Sequence, residues 1–230
     1  MDFALEAGTA LGVVGQSGVG KSTLLNLVLG LLEPTEGRIL LEGEAWSPLA
    51  EPARRLRRPR LQAVFQNALA SLPPHRTGWE ILQEPLDVWR RGDFASRRDA
   101  AARMAARVAF PEAALDQRPA AWSGGLGQRL CLGRALMLEP ALVVLDEPFS
   151  ALDATLAGHL LGVLQRVKAE GTALLIATHD LALARILCDH LLLLGQGEVL
   201  WQGRTDGAPP TPEHPHLRAL REAAPQLPAG

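Results

Sequence analysis

A glycine-rich stretch near the start of the chain has the composition and spacing of a phosphate-binding loop. Residues 15–23 read Gly-Gln-Ser-Gly-Val-Gly-Lys-Ser-Thr, which fits the pattern G-x-x-x-x-G-K-[ST]. Glycines let successive backbone N–H groups face a phosphate, and a helix N-terminus adds partial positive charge. Lys21 is predicted to contact the β- and γ-phosphates of a nucleotide, and the Ser22 hydroxyl to bind Mg²⁺. The predicted nucleotide-binding residues are Gly15, Gln16, Ser17, Gly18, Val19, Gly20, Lys21, Ser22 and Thr23.

Two adjacent acids, Asp146 and Glu147, follow the apolar run Leu142–Leu145 directly. Carboxylates at the end of a buried strand are costly unless a cation or a proton transfer uses them. Asp146 is the predicted Mg²⁺ partner, and Glu147 the general base that polarises an attacking water. His179 follows a second apolar run and is predicted to contact the γ-phosphate or to orient that water.

The elements that must position these residues follow from apolar periodicity. Short strands are predicted at 11–15, 38–41, 63–65, 141–145 and 173–177, and helices at 22–32, 128–138 and 156–168. Residues 77–107 have a helical pattern rich in Ala, Arg and Glu, which indicates an inserted helical subdomain. Apolar strands that alternate with helices predict an α/β fold with a mostly parallel sheet covered on both faces.

Composition narrows the function classes. The chain has 230 residues, 47% of them hydrophobic, and a formal net charge of -2, which argues against electrostatic binding of nucleic acid. The run Arg54, Arg55, Arg57, Arg58 and Arg60 is interpreted as a solvated surface. Cys131 and Cys188 are far apart and fit no metal or redox spacing, which favours a reduced, cytosolic protein. No apolar stretch is long enough to span a bilayer, so any membrane role requires partners.

Further motifs in a fixed order resemble those of the ATP-binding-cassette (ABC) ATPases. Ser123-Gly124-Gly125, followed by Gln128-Arg129, is similar to that family's signature L-S-G-G-Q. The phosphate loop, Gln66, the signature, Asp146-Glu147, Asp153 and His179 occur in the family's order over residues 8–205. The segments 65–73, 84–86 and 214–220 further resemble the ATPases of the peptide and nickel importer branch.

The resemblance implies a fold and a set of roles. The expected fold is a P-loop NTPase with a mostly parallel RecA-like sheet, a small antiparallel β portion and an inserted helical subdomain. Its expected divisions are 1–67 and 134–206 for the ATP-binding core, 68–133 for the helical subdomain ending in the signature, and 207–230 for a Pro-rich tail. By analogy Gln66 is a catalytic residue and Mg²⁺ ligand, together with Ser22 and Asp146. Ser123, Gly124, Gly125 and Asp153 serve the nucleotide site across a dimer.

The resemblance also implies partners. ATP and Mg²⁺ are the expected cofactors, and the expected activity is ATP hydrolysis coupled to transport. The chain is expected to form a head-to-tail dimer with itself or a homologous subunit and to dock on integral membrane permeases, with an extracytoplasmic solute-binding protein in the complex. Its expected place is cytoplasmic, peripheral on the inner face of the membrane, without nucleic acid.

Three positions depart from the family pattern. Leu126 replaces the signature glutamine and Trp122 the leucine, so a polar contact toward the partner's site is lost. Members usually carry an earlier strand and an aromatic residue that stacks on adenine, whereas here Phe3 is the one aromatic ahead of the loop and is expected in a strand. Pro74 follows Pro73 where the branch usually has a basic residue.

Two alternatives stay open at this point. One is a non-transport ABC ATPase, which typically needs two cassettes in one chain or a long coiled-coil insertion. The other is a catalytically silent nucleotide-binding or regulatory subunit, suggested by Leu126. A GTPase is excluded because Asn26 and Asn67, the only asparagines, are followed by Leu and Ala rather than by the Lys of the guanine-reading N-K-x-D motif.

Overall fold

The computed structural model describes residues 1–150 and 152–207, and the tail segment 208–230, including the stretch 214–220, lies outside them. Strands of the main sheet are β1 (Ala10–Val14), β4 (Leu61–Val64), β5 (Leu142–Asp146), β6 (Ala173–Thr178), β7 (His190–Gly195) and β8 (Glu198–Arg204). Their order across the sheet is β4-β5-β6-β1-β7-β8. All neighbours are parallel except β7 and β8, which are antiparallel. The predicted mostly parallel sheet is confirmed.

A second, antiparallel pair consists of β2 (Ile39–Leu41) and β3 (Glu44–Ser47). Helices are α1 (Lys21–Val28), α2 (Glu51–Arg57), α3 (Gly78–Val88), α4 (Phe94–Arg107), α5 (Gly124–Leu136), α6 (Ala154–Ala169) and α7 (Leu181–Leu187). Apolar side chains fill both faces of the sheet because strands such as β1 and β6 are buried at every position. One cluster packs the helices α3 to α6 against one face, and the other packs α1, β2 and β3 against the opposite face.

Helix boundaries follow local capping chemistry. Thr77 and Glu80 form a reciprocal capping box at the start of α3, and Asp93 and Ser96 form one at the start of α4. The helix predicted over 22–32 ends earlier, since the chain turns at Gly30 and the N–H of Leu31 donates back to the carbonyl of Asn26.

The two cysteines, Cys131 and Cys188, are buried free thiols, in line with the predicted reduced state. Burial raises the pKa of Cys131 to about 11 and that of Cys188 to about 12, so both are protonated at neutral pH. They act as small apolar side chains in the core.

Two expectations about particular residues are wrong. Phe3 lies in no strand; residues 1–9 have no regular structure, and Phe3 packs at the margin of the α1-side cluster. Arg54 is not on a solvated surface, because only 4% of it is exposed. Its guanidinium donates to the carbonyls of Gly30 and Leu49 and pairs with Glu33.

Candidate functional site

The glycine-rich loop connects β1 to α1 and curls around the Lys21 ammonium. Lys21 is buried, and its Nζ donates to the carbonyl of Gly15 at 2.7 Å and to that of Gln16 at 3.1 Å. Gly20 has φ of 105°, a left-handed conformation that favours glycine and turns the chain into the helix. An added Cβ at Gly15 would lie 2.7 Å from the carbonyl oxygen of Leu194, so only glycine fits there. The local sequence therefore fixes the loop.

Glu147 lies beside this loop although 126 positions of sequence separate it from Lys21. Its Oε1 is 3.5 Å from the Lys21 ammonium, and its Oε2 is 2.9 Å from Nδ1 of His179. The backbone N–H of Glu147 donates to the carbonyl of Ala177 at 2.9 Å, which ties the end of β5 to β6. Glu147 has φ of 47°, a strained conformation for a residue other than glycine, and such strain is concentrated at functional sites.

Asp146 faces the other side chain predicted to bind a metal. The Ser22 hydroxyl donates to Oδ2 of Asp146 at 3.4 Å. Burial and the neighbouring Glu147 charge raise the pKa of Asp146 above its ordinary value, against the smaller opposing effects of Ser22 and Lys21. The Asp146 carboxylate and the Ser22 hydroxyl are oxygen ligands of the kind that Mg²⁺ prefers. A bound Mg²⁺ would offset the cost of ionising the partly buried Asp146.

Gln66 lies just past β4 and is exposed. It lines a cavity of about 60 Å³ that Glu147 and Gly124 also line. Within the described residues no hydrogen bond joins Gln66 to Ser22 or Asp146. The structure thus brings Gln66 close to Glu147 and leaves its predicted contact to a metal untested.

The signature residues form the first turn of α5, which is a difference from the sequence interpretation. The predicted helix starts at Gln128 with the glycines ahead of it, whereas α5 starts at Gly124. Ser123 is the N-cap, and its hydroxyl accepts from the N–H of Leu126 at 3.3 Å. Gly125 is also needed for packing, because a Cβ there would lie 2.7 Å from Leu156, whereas a Cβ on Gly124 would meet no atom within 4 Å.

Asp153 caps α6 by accepting from the N–H of Leu156 at 2.9 Å. Within the described part of this chain, Asp153 and Ser123 therefore act as helix caps and have no bond to Lys21 or Glu147.

Sequence reasoning assigned no role to two further polar residues, of which Gln128 is buried and Asp189 half-buried. Gln128 is only 7% exposed and lines the 60 Å³ cavity. Asp189 accepts from the N–H of Ala10 at 2.8 Å and from the Lys168 ammonium at 3.1 Å, which holds the amino end of β1. Their sequence signal, a polar residue next to an apolar run, is too common to select them.

Solved structures with the same fold define the class of protein. The chain superposes with a TM-score of 0.81 and 28% identity on the dimeric, post-hydrolysis ATP-binding cassette MJ0796 bound to ADP and Pi, covering 90% of this chain and 89% of that one. It matches cbiO1 of Clostridium perfringens, part of the ABC transporter complex cbiONQ, with a TM-score of 0.81 and 26% identity, covering 90% and 81%. The fold is that of the P-loop NTPases.

Sequence relatives narrow the class. A profile described as ABC transporter matches residues 1–150. The dipeptide transport ATP-binding protein DppF of Haemophilus influenzae is 36% identical over 228 residues, which covers 99% of this chain and 70% of that protein. A putative peptide import ATP-binding protein of Brucella ovis is 35% identical over 226 residues, covering 98% and 71%.

This chain belongs to the ABC transporter family and is an ATP-binding subunit with ATPase activity. In the ranges 1–150 and 152–207, no helix is long and apolar enough to cross a membrane.

Proposed function

We propose that this chain hydrolyses ATP to energise the import of peptides, nickel or a related small solute through separate membrane subunits. The observation that carries the proposal is the meeting of Lys21, Glu147 and His179 at the carboxyl ends of adjacent strands. Relatives that are 35–36% identical over nearly the whole chain are named as dipeptide or peptide import proteins, which supports the branch.

The residues act on the terminal phosphate of ATP. Backbone N–H groups of the loop 15–23 and the Lys21 ammonium hold the phosphates, and the ammonium exchanges its bond to Glu147 for the γ-phosphate. Glu147 then accepts the proton of the attacking water, while His179, which bonds its other oxygen, orients the carboxylate. Bound Mg²⁺ would neutralise charge on the phosphates, held by Ser22, Asp146 and Gln66.

The proposed assembly is a head-to-tail dimer with itself or a homologous ATPase subunit. In it Ser123, Gly124, Gly125 and Asp153 of one chain face the nucleotide held by the other. The helical subdomain, residues 68–133 between the two parts of the core, passes the motion to integral membrane permeases through a groove near 66–89. An extracytoplasmic solute-binding protein delivers the solute, and the chain acts at the cytoplasmic face of the membrane without nucleic acid.

ATPase measurements on the full chain, assembled with the membrane subunits that co-purify with it, test the proposal. We expect Glu147→Gln to lower the turnover number by about 100-fold or more, since it removes the base. Glu112→Gln, an exposed glutamate in the helical segment, is the matched control and should keep the wild-type rate. Equal rates for Glu147→Gln and wild type would support the catalytically silent alternative instead.

Uptake by proteoliposomes that contain the same complex tests the cargo. Labelled dipeptide should accumulate only when ATP is enclosed on the side of this chain, and Glu147→Gln should abolish accumulation. Accumulation of nickel but not of dipeptide would assign the chain to a nickel importer rather than a peptide importer. Uptake of neither would reject the import proposal.

A further inference from the structure

Helix α5 is bound tightly to the segment that follows Gln66. The thiol of Cys131 donates to the carbonyl of Ala68 at 3.1 Å, and the Ser71 hydroxyl donates to the same oxygen at 2.6 Å. A Cβ on Gly127 would lie 2.6 Å from Leu69, so the helix and the 69–71 turn are in direct contact. Because burial keeps the Cys131 thiol protonated, this hydrogen bond persists at neutral pH. The signature helix and the Gln66 loop of one chain thus form one packed unit.

One polar side chain on this unit lines the same cavity as Glu147. Gln128, on α5, is only 7% exposed. Its amide makes no hydrogen bond to any residue in the ranges 1–150 and 152–207. Gln128 lines the cavity of about 60 Å³, whose other polar members are Gln66, Asn67, Glu147 and Ser150.

The cavity suits a bridging water. It is large enough for one or two water molecules and offers more than the two polar partners that a buried water needs. Its wall on the side of the catalytic strand is the segment 147–150, in which the hydroxyl of Ser150 donates to the carbonyl of Glu147 at 3.0 Å. A group that bonds this segment would help to hold the strained backbone of Glu147.

We propose that Gln128 is a positioning residue for hydrolysis: through a water in this cavity, its amide joins the signature helix to the 147–150 segment and holds Glu147 in place. The orientation of the base then depends on where the helical subdomain lies in the same chain. This inference rests on the proposed role of Glu147 as base.

The test replaces the amide without changing the size of the side chain. Gln128→Met in the full chain, assembled with its membrane subunits, should lower the turnover number roughly 10- to 100-fold, as displaced catalytic groups do. The KM for ATP should stay within error because the phosphate loop is untouched. The Tm should change little, since methionine has nearly the same volume as glutamine. Gln128→Asn, which keeps an amide, should recover part of the rate.

Gln62→Met is the matched control, because Gln62 of β4 is also partly buried but its amide donates to the carbonyl of Arg58 at 2.7 Å. It should leave the turnover number unchanged. In a double variant, Gln128→Met should cause no further loss on a Glu147→Gln background.

Three outcomes would overturn the inference: a wild-type rate for Gln128→Met, a rate that falls in step with Tm, or additive losses in the double variant. If Glu147→Gln itself keeps the wild-type rate, the proposed function fails. If Glu147→Gln loses activity but Gln128→Met keeps the wild-type rate, the proposed function stands and the role of Gln128 is rejected.

Discussion

The ion pair between Lys21 and Glu147 is the central contact of the site at the scale of single residues. Both side chains are largely buried, with exposures of 8% and 11%, so each charge has lost most of its hydration. A buried charge that loses its partner is strongly destabilising, and the two groups therefore compensate each other. The ammonium can leave Glu147 at little cost only when another anion replaces the carboxylate, which fits an incoming phosphate.

Asp146 is a second residue whose ionised form is disfavoured in the folded protein. Its pKa is raised mainly by burial and next by Glu147, so above that pKa the ionised carboxyl is less stable in the fold than in the unfolded chain. We expect Asp146→Asn to raise the Tm by roughly a few degrees at pH 7 without Mg²⁺, because it removes an ionised carboxyl from a partly buried place. The gain should shrink as the pH falls through the raised pKa of Asp146 and disappear at about pH 3 and below, where the carboxyl is protonated in both states.

Thermal unfolding followed by circular dichroism at pH 7 and pH 3 measures this difference. Asp116→Asn is a control in the helical segment, at a carboxyl that none of the site residues contacts. A lower Tm for Asp146→Asn at pH 7 would contradict the expected sign. The same variant should lose ATPase activity if Asp146 binds Mg²⁺.

At the scale of secondary-structure elements, the order of strands in the sheet brings the residues of the site together. Parallel strands end at one edge, and the register pairs Asp146 of β5 with Ala177 of β6, and Thr178 of β6 with Val14 of β1. The acids, the segment of His179 and the phosphate loop therefore leave the sheet side by side. This is the carboxyl edge where open α/β sheets bind ligands.

A buried arginine joins the elements that follow the loop helix. Arg54 of α2 donates to the carbonyls of Gly30 and Leu49 at 2.6 and 2.7 Å, and its Nε to that of Trp46 at 3.3 Å. One planar guanidinium thus donates hydrogen bonds to carbonyls at the end of α1 and on both sides of the turn after β3.

We expect Arg54→Lys to destabilise the fold by about 2–3 kcal/mol, because one ammonium cannot reach all three carbonyls and leaves buried acceptors unpaired. The Tm should fall by about 5–10 °C. Arg55→Lys, at the adjacent exposed position, is the control and should change Tm little. Similar shifts for the two variants in differential scanning fluorimetry would rule out the special role of Arg54.

For the whole molecule, Leu126 is the departure that concerns the assembly. In the proposed dimer, the first turn of α5 in one chain faces the nucleotide of the other, so Leu126 affects the partner's site. Its side chain packs against the α3–α6 cluster, and its N–H is used by the Ser123 cap. The chain's own Lys21, Glu147 and His179 are unaffected by this change.

We expect Leu126→Gln to raise the ATPase rate of the assembled complex several-fold, because it restores a polar donor toward the partner's phosphates. Leu126→Met, which keeps an apolar side chain, should leave the rate unchanged. Turnover measured at saturating ATP distinguishes the two. A drop in rate with Leu126→Gln would indicate that the apolar contact of Leu126 is itself required.

Sequence alone determined the parts of the molecule whose chemistry is local. The phosphate loop, the apolar strands that alternate with helices and the two acids at the end of β5 are recognisable because each depends on neighbouring residues. Local patterns were weaker at element ends: the helix predicted over 22–32 stops where tertiary packing and Gly30 turn the chain, and α5 includes the glycines placed ahead of it.

Only the tertiary structure decided which distant residues meet. No spacing in the chain reveals that Lys21 lies 3.5 Å from Glu147, that Arg54 is buried under three carbonyls, or that Gln128 lines a cavity with Gln66. These contacts depend on strand order and helix packing, which are set by the burial of the whole apolar surface rather than by any short segment.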